Sequence, residues 1–247
     1  MRVDVGKLSL AGNRPENQDR VDVATHNDAV LMIVVDGMGG HAHGARAAEV
    51  TVSTLKECFA EASAPVFDPQ GFLTLSLARA HDRVVKLGEG VALDQKPRAT
   101  CAVCLVQDAN SYWAHVGDSR IYQIRGGTVR ERTRDHSHVE LLLREGLIAE
   151  HEIRNHPMRN FVECCIGGDV PLPDMSVSGR KKLRPGDVLL ACTDGLWSGL
   201  EDHDLAAALH TEDPLDLVLR SVAERAIARN APYSDNTSVV AVRWHGD

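Results

Sequence analysis

The chain has no long hydrophobic segment. No window of the sequence approaches about 18 consecutive apolar residues, the length at which a run becomes a candidate for a membrane-spanning helix. Residues 1–10 also lack the apolar stretch of a signal peptide. These absences predict a soluble, unexported protein, and we expect it in the cytoplasm.

The chain also has no excess of basic residues, no internal repeat and no linker rich in Pro, Gly or Ser. It contains 27 Lys and Arg against 35 Asp and Glu, which gives a formal charge of −8. This balance argues against nucleic acid or an anionic membrane as the main partner. Because the apolar pattern continues to Trp244 without a change of composition, we predict one domain over residues 1–247.

The chain lacks a cysteine arrangement suited to redox or zinc chemistry. The chain has 6 cysteines, of which Cys58 and Cys192 lie alone among apolar neighbours. Cys101 and Cys104 share one strand-like run, but an offset of three residues places them on opposite faces of a strand. We therefore expect buried free thiols rather than disulfides or metal ligands.

The apolar periodicity divides the chain into groups of strands separated by helices. Strands are predicted over 3–10, 21–25, 29–35, 99–107, 112–116, 120–125, 128–132, 175–178, 188–193 and 237–244. Helices are predicted over 45–62, 69–87, 137–145, 201–209 and 214–229, and 146–168 is expected to be irregular. This order does not fit alternating βα units. It predicts an α+β fold with two antiparallel sheets packed face to face and helix pairs outside.

Five aspartates stand where predicted strands begin or end. Asp36 and Asp194 each follow a continuous apolar run and precede a glycine, which lets other atoms approach the backbone closely. The other three strand-end aspartates are Asp19, Asp118 and Asp235. A single Asp-Gly is more often an ordinary turn. Five acidic strand ends nevertheless predict one carboxylate cluster, and such a cluster is stable only if cations occupy it.

The predicted cluster suits hard divalent cations. Carboxylate and carbonyl oxygens prefer Mg²⁺ or Mn²⁺ over softer metals. Two such ions held about 3.5–4 Å apart can share a water, lower its pKa and direct it at phosphorus. Arg14 lies shortly before Asp19 and can reach the same site, where a guanidinium holds phosphoryl oxygens in a bidentate way. A lone Arg at this position would more often be a solvated surface charge.

Five short motifs follow one another along the chain: RPENQD (14–19), VDGMGGH (35–41), GDSR (117–120), TDGL (193–196) and SDNT (234–237). Taken in order, they resemble those of the PP2C-type (PPM) metal-dependent serine/threonine protein phosphatases, in the bacterial branch. Each motif alone is weak, but all five in this order are highly specific. The resemblance covers nearly the whole chain.

The resemblance implies a four-layer α-β-β-α sandwich with a binuclear Mn²⁺ or Mg²⁺ centre at one end and a third, weaker ion beside it. By position, Asp36 bridges the two ions and the carbonyl oxygen of Gly37 binds one of them. The remaining metal-site residues implied are Asp194 and Asp235 on one ion, Asp19 through water, and Asp118 on the third ion.

For catalysis, the resemblance implies that Arg14 binds the phosphate of the substrate. His41 is the candidate for protonating the leaving alkoxide or ordering a water, because an unperturbed imidazole has a pKa near 6.5. The segments TRDHS (133–137) and HPMRN (156–160) resemble the ends of the family's flap, a loop beside the active site. Nothing in the sequence explains the adjacent Cys164 and Cys165 in this region.

The function implied by the resemblance is hydrolysis of phosphoserine and phosphothreonine in proteins by attack of a metal-bridged hydroxide. The expected partners are a phosphorylated protein and a cognate Ser/Thr kinase, such as one regulating a secretion system, and the expected state is a monomer. No cysteine lies in a Cys-x5-Arg loop, which disfavours a thiolate mechanism. Two alternatives remain open: a phosphatase-like scaffold that binds phosphoproteins without turnover, and a phosphatase or phosphodiesterase for small molecules.

One basic run is not explained by the phosphatase motifs. The sequence GRKKLR (179–184) precedes a predicted strand and is followed by Pro-Gly. A solvated hairpin is the simpler interpretation. The alternative is a docking site for an acidic or phosphorylated partner.

Overall fold

The computed structural model describes residues 1–38, 42–169 and 171–246. Its strands are β1 (Arg2–Leu10), β2 (Arg20–His26), β3 (Ala29–Val35), β4 (Gly37–Met38), β5 (Arg98–Ala99), β6 (Cys101–Gln107), β7 (Asn110–Val116), β8 (Arg120–Arg125), β9 (Thr128–Arg132), β10 (Ile166–Gly167), β11 (Ser176–Val177), β12 (Lys181–Lys182), β13 (Val188–Cys192) and β14 (Thr237–Gly246). All the pairings between these strands are antiparallel, as predicted.

The helices lie between the strand groups, as the sequence pattern predicts. They are α1 (Ala42–Glu61), α2 (Pro69–Leu87), α3 (His138–Arg144), α4 (Asp194–Trp197), α5 (Asp202–Leu209) and α6 (Leu215–Asn230), with short 3₁₀ helices at Leu93–Gln95 and Glu150–Asn155. Pro69 stands in the first turn of α2, where a missing N–H costs nothing, and Asp68 Oδ1 caps this helix by accepting from Gly71 N (3.0 Å). Within the described ranges, no helix is both long and apolar enough to cross a bilayer.

The strands form two large sheets and one small one. The first sheet has the order β1-β14-β13-β8-β9, and the second has the order β11-β7-β6-β3-β2 with β12 also paired to β7. The small sheet, β10-β5-β4, joins the residues that follow β3 to the end of segment 146–168. Its short strands therefore connect the first Asp-Gly turn to the predicted flap.

Apolar side chains pack in three layers. Alternate residues of β3 and β6, together with Trp113 and Trp244, fill the space between the two large sheets. The other faces of β3 and β6 pack on α1 and α2, and the outer face of the first sheet packs on α4, α5 and α6. The predicted α-β-β-α sandwich is therefore confirmed. Cys101 and Cys104 lie in different layers, on opposite faces of β6, as their spacing predicts.

The structure differs from the predicted elements chiefly next to the acidic turns. The predicted strand 99–107 is interrupted at Thr100, whose backbone N donates to the carbonyl oxygen of Asp36 (2.8 Å). On one side of Thr100 the chain pairs with β4, and on the other side it pairs with β3. Strand β4 and helix α4, both unpredicted, begin at Gly37 and Asp194. Local geometry at the candidate metal residues thus departs from plain strand and turn.

Candidate metal centre and active site

A cavity of about 450 Å³ lies at the end of the sandwich where the acidic strand ends meet. Its walls combine residues from the N-terminal loop, the turns after β3, β7 and β13, the turn before β14, and the segment between α3 and β10. The residues lining it are Arg14, Pro15, Glu16, Gln18, Asp36, Gly37, Met38, Asp118, Asn160, Val162, Asp194, Asp235 and Asn236. Four of the five predicted aspartates therefore surround one space.

Asp36 and Gly37 are positioned by backbone pairing on both sides. The carbonyl oxygen of Asp36 accepts from Thr100, and Gly37 pairs with Ala99 in the small sheet. A Cβ on Gly37 would stand 2.2 Å from the carbonyl oxygen of Gly44 and 2.8 Å from that of Gln18. Only glycine fits here, because α1 begins directly over this turn. The glycine thus serves close protein packing as well as access to the cavity.

Asp194 and Asp118 are held by elements of the first sheet and its helices. Asp194 opens α4, where a negative side chain interacts favourably with the helix dipole and accepts from the backbone N of Gly195. The indole Nε1 of Trp197, one turn further, donates to the carbonyl oxygen of Asp118 (3.0 Å). The Arg120 guanidinium lies 3.7 Å from the ring centre of Trp197.

A buried ion pair anchors Arg120 in turn. Its Nε and Nη2 donate to the two carboxylate oxygens of Asp135 at 2.8 and 2.7 Å, and both side chains are largely buried. Burial opposes the charge of Arg120, but Asp135 holds the pKa of this guanidinium well above its ordinary value. This series of side-chain contacts, from Asp135 through Arg120 to Trp197, therefore stabilises the turn that carries Asp118.

Asn236 organises the approach of the N-terminal loop to Asp235. Its Nδ2 donates to the carbonyl oxygens of Ala11 and Glu16, both at 2.9 Å, and its Oδ1 accepts from Gln18 N (2.8 Å). Residues separated by more than 200 positions in sequence are joined in this way. Asn236 belongs to the SDNT motif, yet its structural role depends on contacts that are distant in sequence.

Arg14 lies at the mouth of the cavity, on the same loop. Its Nη2 donates to Asp235 Oδ2 at 2.7 Å, and 56% of its side chain is exposed. No other acceptor for this guanidinium is found in the part of the chain that the structure describes. A guanidinium has five N–H donors, and one of them is used in this bond. The other four can bind an anionic ligand.

Asp19 is placed differently from the other four aspartates. It is 2% exposed and does not line the cavity. Its Oδ2 accepts from Thr193 Oγ1 (2.9 Å), while its Oδ1 is buried and has no hydrogen-bond partner among the residues that the structure describes. A buried carboxylate oxygen without a partner is costly. It indicates a ligand, a water or a proton at this position.

The electrostatics of the cluster oppose its full ionisation. Burial, and then the charge of Asp19, raise the pKa of Asp36 well above its ordinary value. Burial, and then Asp118, do the same for Asp194. For Asp118, burial followed by the charge of Asp135 raises the pKa to about 7, and burial raises that of Asp19 to about 6. The carboxylates thus require protons or cations at neutral pH.

The donor set fits hard divalent cations. Oxygen atoms of four aspartates face one cavity, and the unpartnered oxygen of Asp19 lies behind them. Within the described residues, no three His, Cys, Asp or Glu side chains are grouped closely enough to hold one ion by themselves. Mg²⁺ is commonly bound through one or two carboxylates and several waters, so an open ring of carboxylates suits it better than a closed cage would.

The predicted flap contributes to the cavity wall. Asn160 and Val162 line the cavity, and Val162 forms a bridge with Ser137 at the start of the segment. His138 Nδ1 and Glu163 Oε1 are 2.9 Å apart and close the same loop. The motif resemblance placed Asn160 at an end of the flap but assigned it no role. The other catalytic candidate, His41, lies outside the described residues, and its role stays a prediction.

Comparison with known proteins agrees with the fold and the motifs. The family model described as Protein phosphatase 2C matches residues 9–231. Protein phosphatase PhpP of Streptococcus pneumoniae is 31% identical over 244 residues, which are 97% of each chain. The solved serine/threonine phosphatase of S. agalactiae is 31% identical, with a TM-score of 0.87 over 98% of this chain and 99% of that one. PppA, a key regulatory component of T6SS in Pseudomonas aeruginosa, is 31% identical, with a TM-score of 0.82 over 98% of both chains.

The chain belongs to the protein phosphatase 2C family. It is a serine/threonine phosphatase of the bacterial PPM type, as the five motifs predict.

Proposed function

We propose that the acidic cavity is the catalytic centre and that it hydrolyses phosphoserine and phosphothreonine in proteins with Mn²⁺ or Mg²⁺ bound. The convergence of both Asp-Gly turns and Arg14 on one cavity is the observation that supports this assignment. Family membership supplies the class of reaction. We further propose that residues 1–247 act as a single domain.

The proposed metal site uses the acidic strand ends. The residues that would hold the ions are Asp36, the carbonyl of Gly37, Asp194 and Asp235, with Asp118 on a third ion and Asp19 acting through water. When bound, the cations supply an activated water and offset charge on the phosphoryl group. The protein supplies a rigid frame, because Asn236 and the Thr100–Asp36 hydrogen bond fix the backbone beneath these groups.

Arg14 is proposed to bind the substrate phosphate. Its ion pair with Asp235 orients the guanidinium at the mouth of the cavity, and its other N–H groups can hold two phosphoryl oxygens. Asn160 and Val162 line the same cavity. Two residues of the predicted flap thus stand beside the place where the phosphoester is proposed to bind.

The first test is release of phosphate from a phosphothreonine peptide by the purified protein with Mn²⁺, Mg²⁺ or EDTA. We expect turnover with either ion and none with EDTA. A folded protein that releases no phosphate under any of these conditions would support the scaffold alternative instead. Equal or faster turnover of small phosphoesters than of a panel of phosphopeptides would favour the small-molecule alternative.

Arg14→Ala is expected to raise KM for the phosphopeptide by about tenfold to a hundredfold, with a smaller change in kcat. The reason is that a charge-assisted hydrogen bond to phosphate is lost while the metal site is retained. Steady-state kinetics at saturating Mn²⁺ measure both constants. Arg14→Lys is the matched control, because it keeps the charge but loses the bidentate geometry. Its KM should lie between those of the wild type and Arg14→Ala. An unchanged KM in the Ala variant would remove Arg14 from the site.

The biological setting is proposed from the relatives. We infer a cytoplasmic phosphatase that acts as a monomer and opposes a Ser/Thr kinase, with neither nucleic acid nor membrane as a partner. The negative formal charge supports the exclusion of nucleic acid. The likeness to PppA of Pseudomonas aeruginosa supports a kinase that regulates a secretion system as the counterpart.

A further inference from the structure

A second depression runs along one edge of the sandwich, away from the acidic cavity. It consists of two adjoining hollows, of about 370 and 190 Å³, that share Lys181. One wall is β9, at the edge of the first sheet, and the other is the segment that carries β11 and β12 at the edge of the second sheet. We call this depression the edge groove.

The two walls are joined by polar contacts. Lys181 forms an ion pair with Glu131 of β9, and Gln123 Nε2 donates to the carbonyl oxygen of Lys182 (3.3 Å). The ammonium group of Lys181 also lies 4.6 Å from the ring centre of Trp113. These contacts, together with the pairing of β12 with β7, fix the basic run on this surface, while the side chains of Arg180 and Lys182 stay exposed to solvent.

The edge groove carries uncompensated positive charge. Arg130, Arg180 and Lys182 line it, are exposed, and form no salt bridge with any described residue. By contrast, Arg125 in the same groove is neutralised by the buried carboxylate of Asp187. Three free cations thus face one hollow in a chain whose formal charge is −8. This concentration indicates an anionic ligand.

Protection of the sheet edge does not explain this arrangement completely. Edge strands often carry Lys to prevent pairing with other chains. Here, however, the cations come from two segments, β9 and the loop through 179–182, and they converge on a hollow rather than following one strand. Convergence favours binding of a ligand over simple solubility.

The groove leads toward the catalytic end of the molecule. The smaller of its two hollows, of about 190 Å³, is lined by His115 and Arg134. His136, two residues further along, donates its backbone N–H to the carbonyl oxygen of Gly117 (2.9 Å), and the next residue, Asp118, lines the acidic cavity. From Lys182, which pairs with Asn110, to the end of β7 is about 20 Å at ~3.3 Å per residue. About six residues of extended peptide would span this distance.

We propose that the edge groove binds an acidic segment of the phosphoprotein substrate, about six residues away from the phosphorylated Ser or Thr. The proposal rests on the proposed function, since it assumes that the phosphoamino acid enters the acidic cavity. Charge complementarity selects the occupant. The three free cations of the groove attract a carboxylate-rich segment, while the phosphate enters the cation-loaded cavity.

The test compares phosphothreonine peptides that carry four Glu or four Gln residues, placed six residues from the phosphothreonine on its N- or C-terminal side. For one of the two placements, we expect kcat/KM to be about fivefold to tenfold higher with the Glu tail at low salt. The preference should shrink as salt rises to about 0.5 M, because exposed charges are screened. Expressing the result as a Glu-to-Gln ratio cancels any change in overall activity.

Two triple variants of equal charge separate the groove from the net charge of the protein. R130A/R180A/K182A should reduce the Glu-to-Gln ratio to about one. R2A/R184A/R220A removes three exposed cations that do not line the groove, and it should retain the wild-type ratio. Arg184 makes this control stringent, because it belongs to the same basic run.

The outcomes are distinct from failure of the proposed function. Equal turnover of Glu and Gln peptides by the wild type at both placements would overturn the groove proposal and leave the phosphatase assignment intact. Loss of the preference in the control triple would also overturn it, since net charge would then be the cause. Binding to phosphatidylserine vesicles through the three groove cations, without any tail preference, would assign the groove to a membrane surface instead. No turnover of any peptide would count against the proposed function itself.

Discussion

Asp194→Asn is expected to lower kcat by about a thousandfold at saturating Mn²⁺ while the protein stays folded. Asn has the same shape as Asp, so packing at the start of α4 is retained, but it is a much weaker ligand for a hard cation. Loss of a bound ion removes several kcal/mol of transition-state charge stabilisation, and about 4 kcal/mol corresponds to ~10³ in rate. Phosphopeptide kinetics measure the loss, and circular dichroism verifies the fold.

The same variant should be at least as stable as the wild type when metal is absent. Burial, followed by the neighbouring carboxylates, raises the pKa of Asp194, so its charged form is disfavoured in the metal-free protein; Asn is neutral without taking up a proton and avoids this cost. Asp82→Asn is the matched control, because Asp82 is exposed on α2 and does not line the acidic cavity. It should change neither activity nor stability. Near-normal turnover by Asp194→Asn would instead remove Asp194 from the metal site.

The sequence predicts the sandwich well because its inner strands are continuous apolar runs that end in recognisable turns. The run AVLMIVV in β3 is buried at every position, so its continuous apolar character correctly indicates a strand covered on both faces. Alternate residues of this strand serve two different core layers. The Asp-Gly turns at its end and at the end of β13 are equally visible, and they bring Asp36 and Asp194 to the same cavity.

The details that the sequence does not reveal depend on contacts between distant segments. The break at Thr100 exists because its backbone N bonds to Asp36, a partner that no local pattern identifies. Asn160 and Val162 reach the cavity through folding of an irregular segment. The free cations of the edge groove become a convergent group only when β9 and β12 come together at one edge. Charge runs in sequence do not show which of their members are paired.

The separate position of Asp19 is also a tertiary effect. The motif RPENQD predicts it as a member of the acidic cluster, and it does lie beside Asp36. Strand β2 begins directly after it and places its side chain under the cavity rather than on the wall. The motif specifies the residue, whereas the depth of its side chain depends on packing against Thr193.

Between pH 6.5 and pH 8, the metal-free protein is expected to lose stability as pH rises. In the folded state Asp118 has a pKa of about 7, and those of Asp36 and Asp194 are raised well above the ordinary value, whereas all three lose their protons near pH 4 when unfolded. The folded state therefore binds more protons over this window. The free energy of unfolding should therefore fall with rising pH. The slope is up to about 1.4 kcal/mol per pH unit for each group that is protonated in the folded state and releases its proton on unfolding.

Other titrating groups have only a limited effect on the stability between pH 6.5 and pH 8. Burial lowers the pKa of His115, and burial followed by His115 lowers that of His136 to about 4. These histidines make stability rise with pH, but the effect is half complete at their unfolded pKa of about 6.5 and fades within about one pH unit above it. The buried thiols have the same sign as the aspartates, but their contribution begins above pH 8.

Urea unfolding at pH 6.5 and pH 8, in EDTA and in Mn²⁺, measures this prediction. In EDTA the midpoint should be lower at pH 8, and Asp118→Asn should reduce the difference. With Mn²⁺ the dependence should weaken or reverse, because cations bind the deprotonated carboxylates and metal affinity rises with pH. A metal-free protein that is equally stable at both pH values would contradict the proposed repulsion within the cluster. The physical case for cations at this site depends on that repulsion, since four carboxylates around one cavity are tolerated only when positive charge offsets them.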